Sequence, residues 1–100
     1  MGRYMILEVA SIDIQPGQSP AFEAAFHQAA KVIAQAHGYL GHELQRSVDT
    51  ENHYLLLVKW QTRDDHLVGF RESPLFVEWR RLIGPYFAGA PVVEHYESFA

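Results

Sequence analysis

The sequence predicts a single α+β domain in the order β-α-β-β-α-β, and three observations carry that expectation. Segments of period-two alternation rich in β-branched residues open and close the chain. Two stripes of apolar residues at three- and four-residue spacing, each headed by Ser-Pro, lie between strand-like segments. A length of 100 residues leaves space for one hydrophobic core only.

The first strand is expected over 4–13, where Tyr4, Ile6, Glu8, Ala10 and Ile12 alternate with Met5, Leu7, Val9, Ser11 and Asp13. Both faces are largely apolar, as in a strand covered on both sides. Gln15-Pro16-Gly17-Gln18 reads as a turn. Ser19-Pro20 then opens a helix, with the hydroxyl as cap and proline at the first helical position, where no N–H is needed. Its inward stripe is Phe22, Ala25, Phe26, Ala29, Ile33 and Ala36; it runs to about His37, and Gly38 suits the left-handed residue that ends it.

Residues 39–49 read as the second strand and 50–52 as a tight connection. The third strand, 53–61, is the most apolar and so belongs in the middle of the sheet. Thr62, followed by Asp64 and Asp65, caps a short helix carrying His66, Leu67 and Phe70. Ser73-Pro74 repeats the cap signature for a helix whose stripe is Leu75, Phe76, Trp79, Leu82 and Ile83, and Gly84-Pro85 stops it. After a loop at 88–91, residues 92–99 form the last strand. With the second helical region split in two, this is the ferredoxin-like pattern.

Composition narrows the partners. Hydrophobic residues make up 48% of the chain and aromatic ones 13%, more apolar material than one small core absorbs. The longest apolar run, Tyr54 to Val58, is far below the roughly 20 residues of a membrane span, and the N-terminus carries no signal-type core, so the chain is expected to be cytoplasmic. A net charge of −4 without a basic cluster argues against nucleic acid. On the third strand Tyr54, Leu56, Val58 and Trp60 point one way while Leu55, Leu57 and Lys59 point the other. An apolar second face asks for cover, and a second copy related by two-fold symmetry is the commonest solution, so a homodimer is expected.

The absence of cysteine excludes disulfides, thiolate metal sites and a cysteine nucleophile. None of the six histidines has the spacing of a zinc motif, and no metal is expected. His27 and His37 read as solvated and His53 as a turn residue, which leaves His42, His66 and His95 as candidate pocket lining. Neither a Gly-x-Ser-x-Gly elbow nor a glycine-rich phosphate loop is present, and Ser73 is accounted for as a helix cap. What remains is a dense set around the split helix: Trp60, His66, Phe70, Phe76, Trp79, Tyr86 and Phe87, with Arg71, Arg80 and Arg81 nearby. As core these rings fill the space between helices and sheet, the favoured role for Phe76. As a site they make an apolar cavity with a few polar groups, suited to a flat aromatic ligand.

Several segments carry a family likeness: Met5-Ile6-Leu7-Glu8-Val9-Ala10, Pro16-Gly17, Gly38-Tyr39-Leu40-Gly41-His42-Glu43-Leu44, Tyr54-Leu55-Leu56-Leu57-Val58-Lys59-Trp60, His66 with Phe70, Ser73-Pro74-Leu75-Phe76 and Val93-Glu94-His95-Tyr96. In order and spacing the chain resembles the antibiotic biosynthesis monooxygenase (ABM) domain family. That resemblance implies a dimeric α+β barrel with one cavity per subunit between sheet and helices. It also implies, for some members, oxidation of phenols or quinols by O2 with no cofactor, through the substrate's own carbanion. The haem-degrading branch would place an Asn, a Trp and a haem-ligating His where this chain has Ala10, Gly69 or Phe70, and Arg80, so that chemistry is not expected.

The resulting expectation is a cofactor-independent monooxygenase acting on a small aromatic or quinol-like compound. His66 is the candidate base or orienting group, with Arg80 and Tyr86 as polar anchors in the catalytic set. Trp60, Phe70, Trp79 and His42 are the candidate substrate-binding walls. Two other readings use the same scaffold: a non-oxidative isomerase or decarboxylase of a small acid, and a ligand-binding or stress-response module without catalysis.

Overall fold

A computed structural model describes residues 5–100. Four antiparallel strands, β1 (Ile6–Asp13), β2 (Tyr39–Arg46), β3 (His53–Trp60) and β4 (Val92–Glu97), pair in the order β2-β3-β1-β4. Helices α1 (Ser19–Ile33) and α2 (Pro74–Ile83) cover one face. A π-helical segment, Asp65–Phe70, separates β3 from α2, and a short 3-10 turn, Gly84–Tyr86, follows α2. The fold is ferredoxin-like α+β with its second helical region split.

Alternation decides what is buried. On β1 and β3, the two central strands, Ala10, Ile12, Tyr54, Leu56, Val58 and Trp60 point to the helices. They meet Phe22, Phe26, Ala29 and Ile33 of α1 and Trp79 and Ile83 of α2. Each fully buried large side chain contributes about 1.5–3 kcal/mol of transfer free energy. Leu7, Val9, Leu55 and Leu57 take the other face and stay partly exposed, and beside them Val92 and Tyr96 are 66% and 49% exposed. Among the described residues no helix is long and apolar enough to cross a membrane.

Element ends depart from the sequence expectation for local reasons. The first strand begins at Ile6, and Tyr4 lies outside the described residues. Helix α1 ends at Ile33, not near His37. The N–H groups of Gln35 and Ala36 bond to Val32 and Ile33, tightening the last turn, and Gly38 at φ +83° then reverses the chain. β2 stops at Arg46, because the Ser47 hydroxyl accepts the N–H groups of Asp49 and Thr50 and curls the chain into a turn. β3 stops at Trp60 and β4 at Glu97 because both pair with Ile6, the first residue of β1.

Two caps are also corrected. The Ser19 hydroxyl donates to Asn52 Oδ1 at 2.9 Å rather than capping α1, whose N-cap is Gln18. Ser73 occupies the N-cap position of α2, yet its hydroxyl donates backward to the Phe70 carbonyl at 2.7 Å. Thr62 does cap: its Oγ1 accepts the Asp65 N–H at 3.1 Å, while Asp65 Oδ2 accepts the Thr62 N–H at 3.2 Å.

Candidate functional site

Between the helices and the middle of the sheet lies a cavity of about 380 Å³. Ala10 and Leu56 give it an apolar floor, and Phe70, Phe76, Trp79 and Ile83 form its helical wall. The small side chain of Ala10, central on β1, leaves room that a larger residue would fill. Arg71 and Arg80 also line the cavity while remaining exposed to solvent. Their guanidinium carbons lie 5.6 and 5.7 Å from the centre of the Phe76 ring, within cation–π range.

The polar floor is a carboxylate next to an imidazole. The alternation that buries Ala10 and Ile12 also buries Glu8, which is 5% exposed. Trp60 Nε1 donates to Glu8 Oε1 at 2.9 Å, and His66 Nε2 stands 3.4 Å from the same oxygen. On the far side of its ring, His66 Nδ1 lies 2.9 Å from His95 Nε2 on β4. Trp60 stacks against the His66 ring with centroids 5.4 Å apart. The wide turn of the π-helical segment brings His66 and Phe70 inward together, and the Arg71 N–H closes that turn on the His66 carbonyl at 3.0 Å.

Burial sets the charge states. It pushes the Glu8 carboxyl up to about 7, against the opposing pull of the Trp60 hydrogen bond and the Arg71 charge. It also pushes His66 down to about 4, assisted by His95 and Arg71. His95 is lowered as well, by burial and then by Arg63 and Arg71. At neutral pH the imidazole is therefore neutral while the carboxyl sits near its midpoint, the condition in which a group both takes and releases protons. Holding the pair as a buried ion pair would cost desolvation of two charges.

Of the residues singled out from sequence, His66, Phe70, Trp79 and Arg80 line this cavity. Trp60 does not; it is fully buried behind His66 and holds Glu8. His42 is exposed on β2, bonded to Tyr39 Oη at 2.6 Å and packed on Phe26, in a separate surface groove. Tyr86 ends the 3-10 turn, where its carbonyl accepts the Gln15 N–H at 2.9 Å, and its neighbour Phe87 lines the cavity instead. Phe76, favoured as core, is part of the wall. Sequence reading passes over Glu8, although the signal is present: a lone carboxylate among Ile6, Ala10 and Ile12 on an inward strand face. Among the described residues no group of three or more His, Asp or Glu can hold a metal ion.

The molecule is thus an α+β domain whose helix-covered sheet face holds an apolar cavity with a buried acid–imidazole pair in its floor and two cations on its wall, the usual make-up of a pocket. The family described as antibiotic biosynthesis monooxygenase matches residues 5–82, and the chain belongs to it. An uncharacterised protein of Bacillus subtilis (strain 168), YczJ, is 40% identical over 94 residues, covering 94% of this chain and 99% of that protein. A crystal structure from Bordetella bronchiseptica, provisionally described as an antibiotic biosynthesis monooxygenase, superposes with TM-score 0.95 at 43% identity over 98% of this chain and 100% of that one. SnoaB of Streptomyces nogalater, described as a cofactor-independent oxygenase, shares the fold at TM-score 0.72 and 21% identity, over 96% of this chain and 92% of that one.

Proposed function

We propose that the chain is a cofactor-independent monooxygenase that oxidises a small aromatic, quinol or polyketide-like compound with O2 inside the 380 Å³ cavity. The observation that carries this reading is the Glu8–His66 pair in the floor of an otherwise apolar cavity, in a chain of the monooxygenase family. Glu8 takes the proton from the activated O–H or C–H of the substrate, and the electron pair stays on the ring system. His66 orients the carboxyl, Phe70 and Trp79 flank the rings, and Arg71 and Arg80 favour the anion as it forms.

The delocalised carbanion then reduces O2. A C–O bond forms, the O–O bond breaks, and one oxygen leaves as water. Conversion of CH2 to C=O supplies all four electrons that O2 takes up, so no external reductant is needed. The protein is proposed to work as a cytoplasmic homodimer, with Leu7, Val9, Leu55 and Leu57 on the face that a second copy covers.

Oxygen uptake with a panel of anthrones and quinols tests the reading. Protein-dependent uptake of one O2 per product, lost under strict anaerobiosis, is expected. No uptake with any of them, or turnover that proceeds without O2, overturns it.

A further inference from the structure

The His66 ring uses its two nitrogens in opposite directions. Nε2 faces Glu8 Oε1 at 3.4 Å in the cavity floor, and Nδ1 meets His95 Nε2 at 2.9 Å. A carboxylate and two imidazoles that converged on one point would suggest a metal; strung on both sides of one ring they form a line. That line leads out of the protein. The Glu8 and His66 side chains are 7% and 5% exposed, whereas His95 is half-buried on edge strand β4 and lines a separate surface groove with Arg63 and Glu97. The register aligns the two ends, because Glu8 and His95 are direct partners on β1 and β4.

We infer that Glu8, His66 and His95 form a proton path that joins the floor of the cavity to solvent at the β4 edge. Its use in turnover rests on the monooxygenase reading, since it carries the substrate's proton out while the ligand fills the cavity and returns one when the O–O bond breaks and water leaves. In the loaded state Glu8 carries the proton, its O–H facing the bare Nε2 of His66, and His66 Nδ1–H donates to His95 Nε2. Transfer moves one proton along each link. Glu8 becomes a carboxylate, His66 keeps one proton but now on Nε2, and His95 becomes an imidazolium that releases its proton to water. No electrons move and this half of the cycle delivers one proton to solvent; the reverse transfer returns one for the water that leaves, so a full turnover is proton-neutral. At 3.4 Å the Glu8–His66 link is the longer of the two, and contacts of this kind commonly tighten on substrate binding.

The charged and titratable groups around this line come from the π-helical segment and its flanks, from β4 and from α2. His66 and Arg71 lie in and just after the π-helical segment, His95 and Glu97 on β4, Arg80 on α2, and Arg63 before the π-helical segment. β3 contributes Trp60 as a neutral donor. Low basicity of His66 suits the middle of such a line, because a proton is not trapped there.

The test needs no substrate. Nitrogen NMR of 15N-histidine protein, with carbon NMR of the glutamate side-chain carboxyls, follows tautomer and ionisation from pH 5 to 9, with E8Q and H95Q giving the assignments. The path predicts that His66 switches from the Nδ1–H to the Nε2–H tautomer at the same pH at which Glu8 ionises. A single His66 tautomer across the range, or a Glu8 that ionises below pH 5, overturns it. With a turned-over substrate in hand, H95Q is expected to lower kcat about tenfold at unchanged KM, with partial rescue by added imidazole. Unchanged kcat in H95Q overturns the path. A chain that consumes no O2 with any substrate refutes the monooxygenase reading alone, and the tautomer measurement still decides the path.

Discussion

Replacing Glu8 by Gln isolates the energetic effect of burying a carboxyl in the cavity floor. Glutamine keeps the volume and the Oε1 acceptor for Trp60 and removes only the ionisation. In the wild type the folded carboxyl ionises at about 7 against an ordinary 4.5. Between these two values the native state holds a proton that the unfolded chain has lost, so stability falls as pH rises and the cost is nearly complete by about pH 8. At about 1.4 kcal/mol per pKa unit, the loss between pH 5 and pH 8 is about 2.5 kcal/mol. His66 acts with the opposite sign: its folded value of about 4 lies below the ordinary 6.5, so stability rises with pH through that window. That contribution is present in both proteins and cancels in their difference. Urea unfolding of wild type and E8Q at one fixed protein concentration, at pH 5 and pH 8, reads the difference directly. E8Q is expected to gain about 2.5 kcal/mol relative to wild type between the two pH values. A relative change below about 0.5 kcal/mol refutes the assignment of Glu8 as a group held near neutrality by burial.

Other perturbations probe the remaining parts. Gly38→Ala places a Cβ on a left-handed backbone and into the Asp65 carboxylate, which accepts the Thr62 N–H; a loss of about 2–3 kcal/mol is expected in urea unfolding, and a change within about 0.5 kcal/mol refutes this. Removing both Arg71 and Arg80 is expected to weaken binding of an anionic aromatic probe such as 1-hydroxy-2-naphthoate about tenfold or more, while leaving neutral naphthalene unchanged by calorimetry. Equal losses for both probes would show that the arginines act by packing alone. Leu57→Glu puts a charge in the middle of the uncovered sheet face and is expected to halve the mass measured by light scattering at micromolar concentration. A monomeric wild type refutes the homodimer.

The fold was legible because its signals are local and redundant. Period-two alternation in 6–13 and 53–60, helical stripes headed by Pro20 and Pro74, and the stop at Gly84-Pro85 each fix an element without reference to the others. Element ends were less legible, since they depend on partners distant in sequence: Ser19 bonds to Asn52, and β3 and β4 end where Ile6 ends.

For the site, the sequence determined which residue types are available and, through alternation, that Glu8 shares a face with Ala10 and Ile12. It could not determine which ring meets which. Trp60, His42 and Tyr86 look alike in sequence as aromatic or imidazole side chains near the right elements. Only tertiary structure puts Trp60 behind His66, His42 out on β2 and Tyr86 past the cavity wall. The pairing of Glu8 with His66 and of His66 with His95 joins three segments separated by 58 and 29 positions. Contacts of that range arise from sheet register and from the wide π-helical turn, and burial then turns an ordinary glutamate into a group that exchanges its proton near neutrality.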